Sequence, residues 1–285
     1  MRLMALTFLD KFALAAQTNS SRLCVGLDPD PARIPGGDVV AFNRSIIEAT
    51  ADLVCCYKPN IAFYEQFGRS GFEILKATID AIPDGIPVLL DAKRGDIDST
   101  ARAYAVAMFD ALEADAVTVN PYPGGDSLKP FLERADKGIF ILCRTSNPGA
   151  ADLQDLPVMT PDGETEPLYL NVAARAAAWN RNGNIGLVVG ATYPDQLRKV
   201  RERCPELPVL IPGIGPQRGA LEESVRAAFN GSLTGFLVNS SRSVLYGAVD
   251  DQDVAEAARA EALRVRNAIN LVLGCPVGAG DNRWR

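Results

Sequence analysis

The stretch Pro87-Val88-Leu89-Leu90-Asp91-Ala92-Lys93-Arg94-Gly95-Asp96 decides how this chain is read. A short apolar run with a β-branched residue ends abruptly in charge, as a buried strand does where it reaches the rim of a sheet. In an extended strand Leu89, Asp91 and Lys93 fall on one face and Leu90 and Ala92 on the other. Burying a carboxylate and an ammonium on the face shared with Leu89 is costly unless each has partners. The run is therefore a strand whose carboxyl end carries chemistry, or a rim ion pair.

Seven further runs have the same form: Leu23 to Asp28, Leu53 to Lys58, Ala116 to Asn120, Gly138 to Arg144, Ile185 to Ala191, Leu207 to Ile214 and Gly235 to Asn239. Helix-period segments lie between them, including Ser99 to Leu112, Leu168 to Asn182, Pro194 to Arg203 and Ala220 to Asn230, and Val254 to Leu273 closes the series. Eight strands alternating with helices predict an α/β protein, a (β/α)8 TIM barrel in a single domain over 1–275, with 276–285 as a C-terminal tail. A doubly wound open sheet has the same local signature. The 285-residue length suits one such barrel. Phe8, Leu9 and Phe12 fall at helical spacing and predict an amphipathic lead-in helix rather than a signal peptide. The longest irregular stretch, Asn147 to Glu166, follows strand five and reads as a mobile lid.

Composition narrows the function. The net charge of −6 and pI near 4.9 argue against nucleic acid as a general partner. No apolar run is long enough to span a membrane, and the six cysteines, without a Cys-x-x-Cys pair, read as buried free thiols of a cytoplasmic protein. The chain has no histidine, so the commonest metal ligand and the commonest general base are both missing, and no metal site is expected.

A barrel gathers its strand-end side chains into one site. Here these are Asp28, Lys58 with Asn60, Asp91 with Lys93 and Asp96, Asn120, Thr145 with Ser146, Thr192, Gln217 and Arg242. Gly95 lets the chain turn and is expected to bring Asp96 near Lys93. A lysine held between two carboxylates stays protonated, a poor nucleophile and a well-placed acid. After strand seven, Gly213 and Gly215 would let backbone N–H groups approach an anion. After strand eight, Ser241 and Arg242 in the Ser-Arg-Ser run complete a phosphate-like site where barrels commonly bind phosphate. Thr145 and Ser146 suit the edge of a polar planar ring, though the segment also reads as a simple turn.

Taken together, Leu27-Asp28, Tyr57-Lys58-Pro59-Asn60, Asp91-Ala92-Lys93-Arg94-Gly95-Asp96-Ile97, Asn120-Pro121-Tyr122, Thr145-Ser146-Asn147-Pro148-Gly149 and Pro212-Gly213-Ile214-Gly215 resemble the orotidine 5′-phosphate decarboxylase family, in its longer bacterial-type branch. The Asp-x-Lys-x-x-Asp element is the specific part. The resemblance implies cofactor-free decarboxylation of orotidine 5′-phosphate to uridine 5′-phosphate in pyrimidine synthesis. It casts Lys58, Asp91, Lys93 and Asp96 as a charged tetrad with Lys93 the proton donor. Asp28 and Lys58 would hold the ribose, Ser146 the pyrimidine, and Gln217 with Arg242 the phosphate. Asp96 and Thr100 would reach the neighbouring subunit's site, which implies a homodimer. Many relatives place His-Pro-Gly after the pyrimidine-contacting serine, where this chain has Asn147-Pro148-Gly149 and a longer loop. Metal-dependent sugar-phosphate decarboxylases and aldolases share the Asp-x-Lys-x-x-Asp element but use a histidine. A lysine Schiff-base aldolase would need a neutral amine.

Overall fold

A computed structural model describes residues 6–213, 218–248 and 252–275. Ten strands occur in it: β1 (Leu23–Leu27), β2 (Cys56–Pro59), β3 (Leu89–Arg94), β4 (Ala116–Val119), β5 (Gly138–Arg144), β6 (Pro157–Met159), β7 (Thr165–Pro167), β8 (Ile185–Val189), β9 (Val209–Ile211) and β10 (Phe236–Ser240). Eight of these pair in parallel in the order β2-β1-β10-β9-β8-β5-β4-β3. Parallel bridges Tyr57–Val88 and Asn60–Asp91 join the two outer strands, so the sheet closes on itself as a barrel. The open-sheet alternative is thereby removed.

The eleven helices are α1 (Phe8–Thr18), α2 (Val39–Thr50), α3 (Ala62–Glu65), α4 (Gly71–Asp80), α5 (Asp98–Val106), α6 (Gly125–Leu132), α7 (Leu168–Trp179), α8 (Pro194–Arg203), α9 (Arg218–Ala228), α10 (Arg242–Leu245) and α11 (Val254–Val272). The five helical segments whose bounds the sequence predicts begin within two residues of α5, α7, α8, α9 and α11. The segment from Ser99 to Leu112 is not one α-helix, however: α5 ends at Val106 and a π turn covers Ala107–Ala111. None of the described helices is long and apolar enough to cross a membrane.

Strand alternation sorts the core into two shells. Val25, Leu27, Tyr57, Leu90, Val117, Val119, Ile139, Ile141, Leu187, Val189, Val209, Ile211 and Val238 point outward under the helices. One inner cluster takes a side chain from every barrel strand: Cys24, Cys56, Leu89, Ala116, Phe140, Val188, Leu210 and Leu237. The lead-in helix α1 adds Phe8, Phe12 and Ala16 to that cluster, with the Phe8 ring edge-on to Phe140 at 5.6 Å. It starts with a capping box between Thr7 and Asp10 and plugs one end of the barrel. The other end is thus left as the place for a site. All six cysteines are free thiols, five of them buried and Cys275 half-buried.

The stretch after β5 departs from expectation. Instead of an irregular lid, Pro148–Asp152 form a 3-10 turn and β6 pairs antiparallel with β7. The segment is anchored to the body by hydrogen bonds from Leu168 N to Leu156 O (2.8 Å) and from Tyr169 N to Gln154 O (2.9 Å). Strands two and seven are shorter than predicted, beginning at Cys56 and Val209, because the apolar residues before them are buried in turns. The tail 276–285 lies outside the described residues.

Candidate active site

One step above the inner apolar cluster, two residues further along seven of the eight barrel strands, the residue types change from apolar to polar and small: Gly26, Lys58, Asp91, Thr118, Gly190, Pro212 and Asn239, with β5 alone keeping an apolar residue, Leu142. Asp91 is the centre. Its Oδ2 lies 3.2 Å from Lys58 Nζ, and its Oδ1 lies 2.6 Å from Lys93 Nζ and accepts from Thr118 Oγ1 at 2.8 Å. Asn60 Nδ2 is at 3.5 Å from Oδ2, the limit of a hydrogen bond. Lys58 is 3% exposed and Asp91 9%, so the pair is shielded from water and interacts strongly.

Burial alone pushes the Lys58 ammonium toward its neutral form. The Asp91 and Asp28 carboxylates outweigh that, and its pKa lies above the ordinary lysine range. Burial alone would likewise raise the Asp91 carboxyl, but Lys58 and Lys93 hold it well below the usual carboxylate range. The buried Lys58–Asp91 pair is therefore ionised throughout the neutral range, and Lys93 Nζ grips the second oxygen of the same carboxylate.

Lys93 reaches Asp91 by an unexpected route. Along β3 the partner of Leu90 is Val117 and that of Arg94 is Val119, so three residues of β3 face one residue of β4. This bulge puts Lys93 at φ +47°, a left-handed conformation uncommon outside glycine. Strained backbone of this kind gathers at functional sites. Within the chain the expected pairing of Asp96 with Lys93 does not take the form of an ion pair: the Asp96 carboxylate accepts from Ile97 N at 2.8 Å, and Lys93 pairs with Asp91.

Opposite this cluster, Asp28 Oδ2 accepts from Ser241 Oγ at 2.6 Å, while Asp28 Oδ1 is buried with no partner. An unpaired buried acceptor is costly and is relieved by a donor supplied from outside the chain. Gly26 permits this approach, since a Cβ built there would stand 2.7 Å from Ser241 Cβ and 2.9 Å from its Oγ. Gly213 has φ +82°, and its missing Cβ would lie 3.6 Å from Ser146 Oγ, so the ends of β5 and β9 meet there. Arg242 opens α10, exposed, its guanidinium without a hydrogen bond or ion pair to any described residue. Gly215 and Gln217 lie outside the described residues. Asn120 is exposed at the end of β4, its Oδ1 taken by Tyr122 N, and Thr100 is exposed in the first turn of α5.

Thr145 is committed internally. Its N–H donates to Gln154 Oε1 at 2.8 Å and its hydroxyl contacts Asn147 and Gln154. Next to it, Arg144 is 2% exposed, forks onto Asp155 at 2.9 and 3.0 Å, and stacks on the Tyr193 ring at 4.6 Å. Residues missed in the sequence are thus Thr118, Gln154 and Asp155. Alternation along β4 marks Thr118 as an inward polar side chain, a signal available from the sequence. The partners of Thr145 and Arg144 carry no local signal.

Fold and site together define a (β/α)8-barrel enzyme with a lysine–aspartate–lysine cluster at the carboxyl ends of its strands. Residues 21–258 match the family model described as orotidine 5′-phosphate decarboxylase / HUMPS. The orotidine 5′-phosphate decarboxylase of Thermomicrobium roseum is 54% identical over 286 residues, covering 98% of this chain and all (100%) of the relative. That of Herpetosiphon aurantiacus is 56% identical over 259 residues, covering 88% and 94%. The structure of Leishmania donovani OMP decarboxylase superposes with a TM-score of 0.83 at 43% identity, covering 95% of this chain and 100% of that one. The chain belongs to the orotidine 5′-phosphate decarboxylase / HUMPS family.

Proposed function

We propose that this protein decarboxylates orotidine 5′-phosphate to uridine 5′-phosphate in pyrimidine nucleotide synthesis, with Lys93 delivering the proton that replaces carbon dioxide at carbon 6. The observation that carries the reading is the Asp91 carboxylate held between Lys58 and Lys93 in a site closed to bulk water on its floor. Loss of carbon dioxide leaves an electron pair on the ring. A fixed ammonium beside that carbon stabilises the developing charge without reorganisation and then supplies the proton. Asp91 holds that ammonium in place through the 2.6 Å contact of its Oδ1, and would lie beside the departing carboxylate.

The rest of the rim divides by chemistry. Asp28, with its open Oδ1, and Lys58 would hold the ribose hydroxyls, with Asn60 beside them. Ser146 would meet the pyrimidine edge, with Thr145 and Asn120 shaping the mouth. Gly213, Gly215, Gln217, Ser241 and Arg242 would hold the phosphate, the free guanidinium of Arg242 giving a bidentate contact. Asp96, which makes no ion pair with its own chain's Lys93, and the exposed Thr100 would complete the site of a second copy in a homodimer. A cytoplasmic location fits this pathway.

A Schiff-base aldolase reading is opposed by the raised Lys58 pKa and by the Asp91 contact on Lys93, since a lysine nucleophile must be neutral. The test is to give chelator-treated protein orotidine 5′-phosphate and follow loss of the substrate's ring absorbance together with released carbon dioxide. Turnover unaffected by chelator is expected. No turnover, or turnover only with added metal, would overturn the reading.

A further inference from the structure

Thr118 is the single polar side chain of β4 (Ala-Val-Thr-Val), 1% exposed and pointing into the barrel above Ala116. A valine of the same shape would pack there, so the hydroxyl needs a reason. Its two hydrogen bonds supply one: Oγ1 donates to Asp91 Oδ1 at 2.8 Å and accepts from Lys93 N at 2.9 Å. The bulge that sets three β3 residues against Thr118 takes the Lys93 N–H out of the regular ladder. The hydroxyl replaces the lost acceptor.

The contacts close a ring. Lys93 Nζ and Thr118 Oγ1 both meet Asp91 Oδ1, while Thr118 Oγ1 also holds the backbone N–H of Lys93. Lys93 is fixed at both ends of its side chain, at the main chain and at the ammonium, through two groups that share one carboxylate oxygen. Without the hydroxyl, the left-handed Lys93 backbone loses its tether and Asp91 Oδ1 loses one of its two donors, leaving Lys93 Nζ alone. We infer that Thr118 is a positioning residue for the decarboxylation: its hydroxyl locks the Lys93 ammonium onto Asp91 at the place where the proton is delivered. This rests on the function proposed above.

Thr118 acts through Lys93 and Asp91, so its loss lowers kcat and leaves KM nearly unchanged. A displacement of the acid on the scale of an ångström costs up to about 100-fold. We expect Thr118→Val to lower kcat by about 10- to 100-fold with KM and the affinity for uridine 5′-phosphate within about threefold of wild type. Thr118→Ser and Thr118→Ala both lack the methyl group and differ in the hydroxyl alone. The serine protein should therefore run at least about tenfold faster than the alanine protein, and this comparison stands even if the valine protein does not fold. Equal kcat for the serine and alanine proteins, or a loss seen in KM instead of kcat, overturns the inference. Wild-type protein without turnover would instead overturn the proposed function, so the two failures are told apart by the control.

Discussion

Removing Asp91 should reverse the way stability responds to alkaline pH. In the wild-type protein Lys58 is 3% exposed with its pKa above the ordinary lysine value, so it is protonated folded and unfolded. Its stabilising contribution is fully present below about pH 10.4, the unfolded value, and is lost only as pH rises through the higher folded value. In Asp91→Ala the burial penalty stays and the nearer counter-charge goes, leaving Asp28 alone. Stripping one partner from a buried pair costs about 3–5 kcal/mol. The folded-state pKa of Lys58 then falls below its unfolded value. In that window the unfolded chain binds more protons, and the variant's stability rises with pH by up to about 1.4 kcal/mol per unit. Urea unfolding of both proteins at fixed concentration from pH 7 to 10 measures this, because other groups cancel in the difference. The gap should be about 3 kcal/mol or more at pH 7 and narrow toward pH 10. At the acid end, Asp91 has a lowered folded pKa, so its contribution is present above about pH 4 and fades as pH falls below that. A gap under about 1 kcal/mol at pH 7, or one that stays constant to pH 10, would refute the electrostatic account.

Three other outcomes are expected. Gly26→Ala should push Ser241 off Asp28, because the new Cβ would meet Ser241 Cβ at 2.7 Å; steady-state kinetics should show KM raised by about tenfold or more with folding retained. Arg144→Met should cost about 3 kcal/mol in urea unfolding, since it strands Asp155 and frees the Thr145 carbonyl that Arg144 Nη1 contacts at 2.6 Å. Lys93→Ala and Asp96→Ala proteins, each nearly inactive, should recover activity on mixing, because hybrid dimers hold one intact site; no recovery in verified hybrids would assign Asp96 to its own chain.

What the sequence makes legible follows from periodicity. Leu89, Asp91, Ala116, Thr118, Cys56 and Lys58 obey the two-residue alternation, so barrel, inner face and buried charges can all be read before any coordinates. The lead-in helix is legible for the same reason at a period of 3.6, through Phe8 and Phe12. A bulge breaks the period silently. Nothing in Asp-Ala-Lys-Arg warns that three residues will face one, so the left-handed Lys93 and its tether to Thr118 are invisible. The β6–β7 hairpin is hidden because Pro-Val-Met and Thr-Glu-Pro are too short and too proline-rich to show alternation. The Arg144–Asp155 fork depends on how a loop folds back, and spacing alone does not encode that.

The most direct measurement compares wild type with Lys93→Ala on orotidine 5′-phosphate in the presence of chelator, with uridine 5′-phosphate affinity measured alongside. The account predicts metal-independent turnover by wild type, and a loss of at least about 100-fold in kcat for the variant with product affinity little changed. Turnover by Lys93→Ala at the wild-type rate would contradict it.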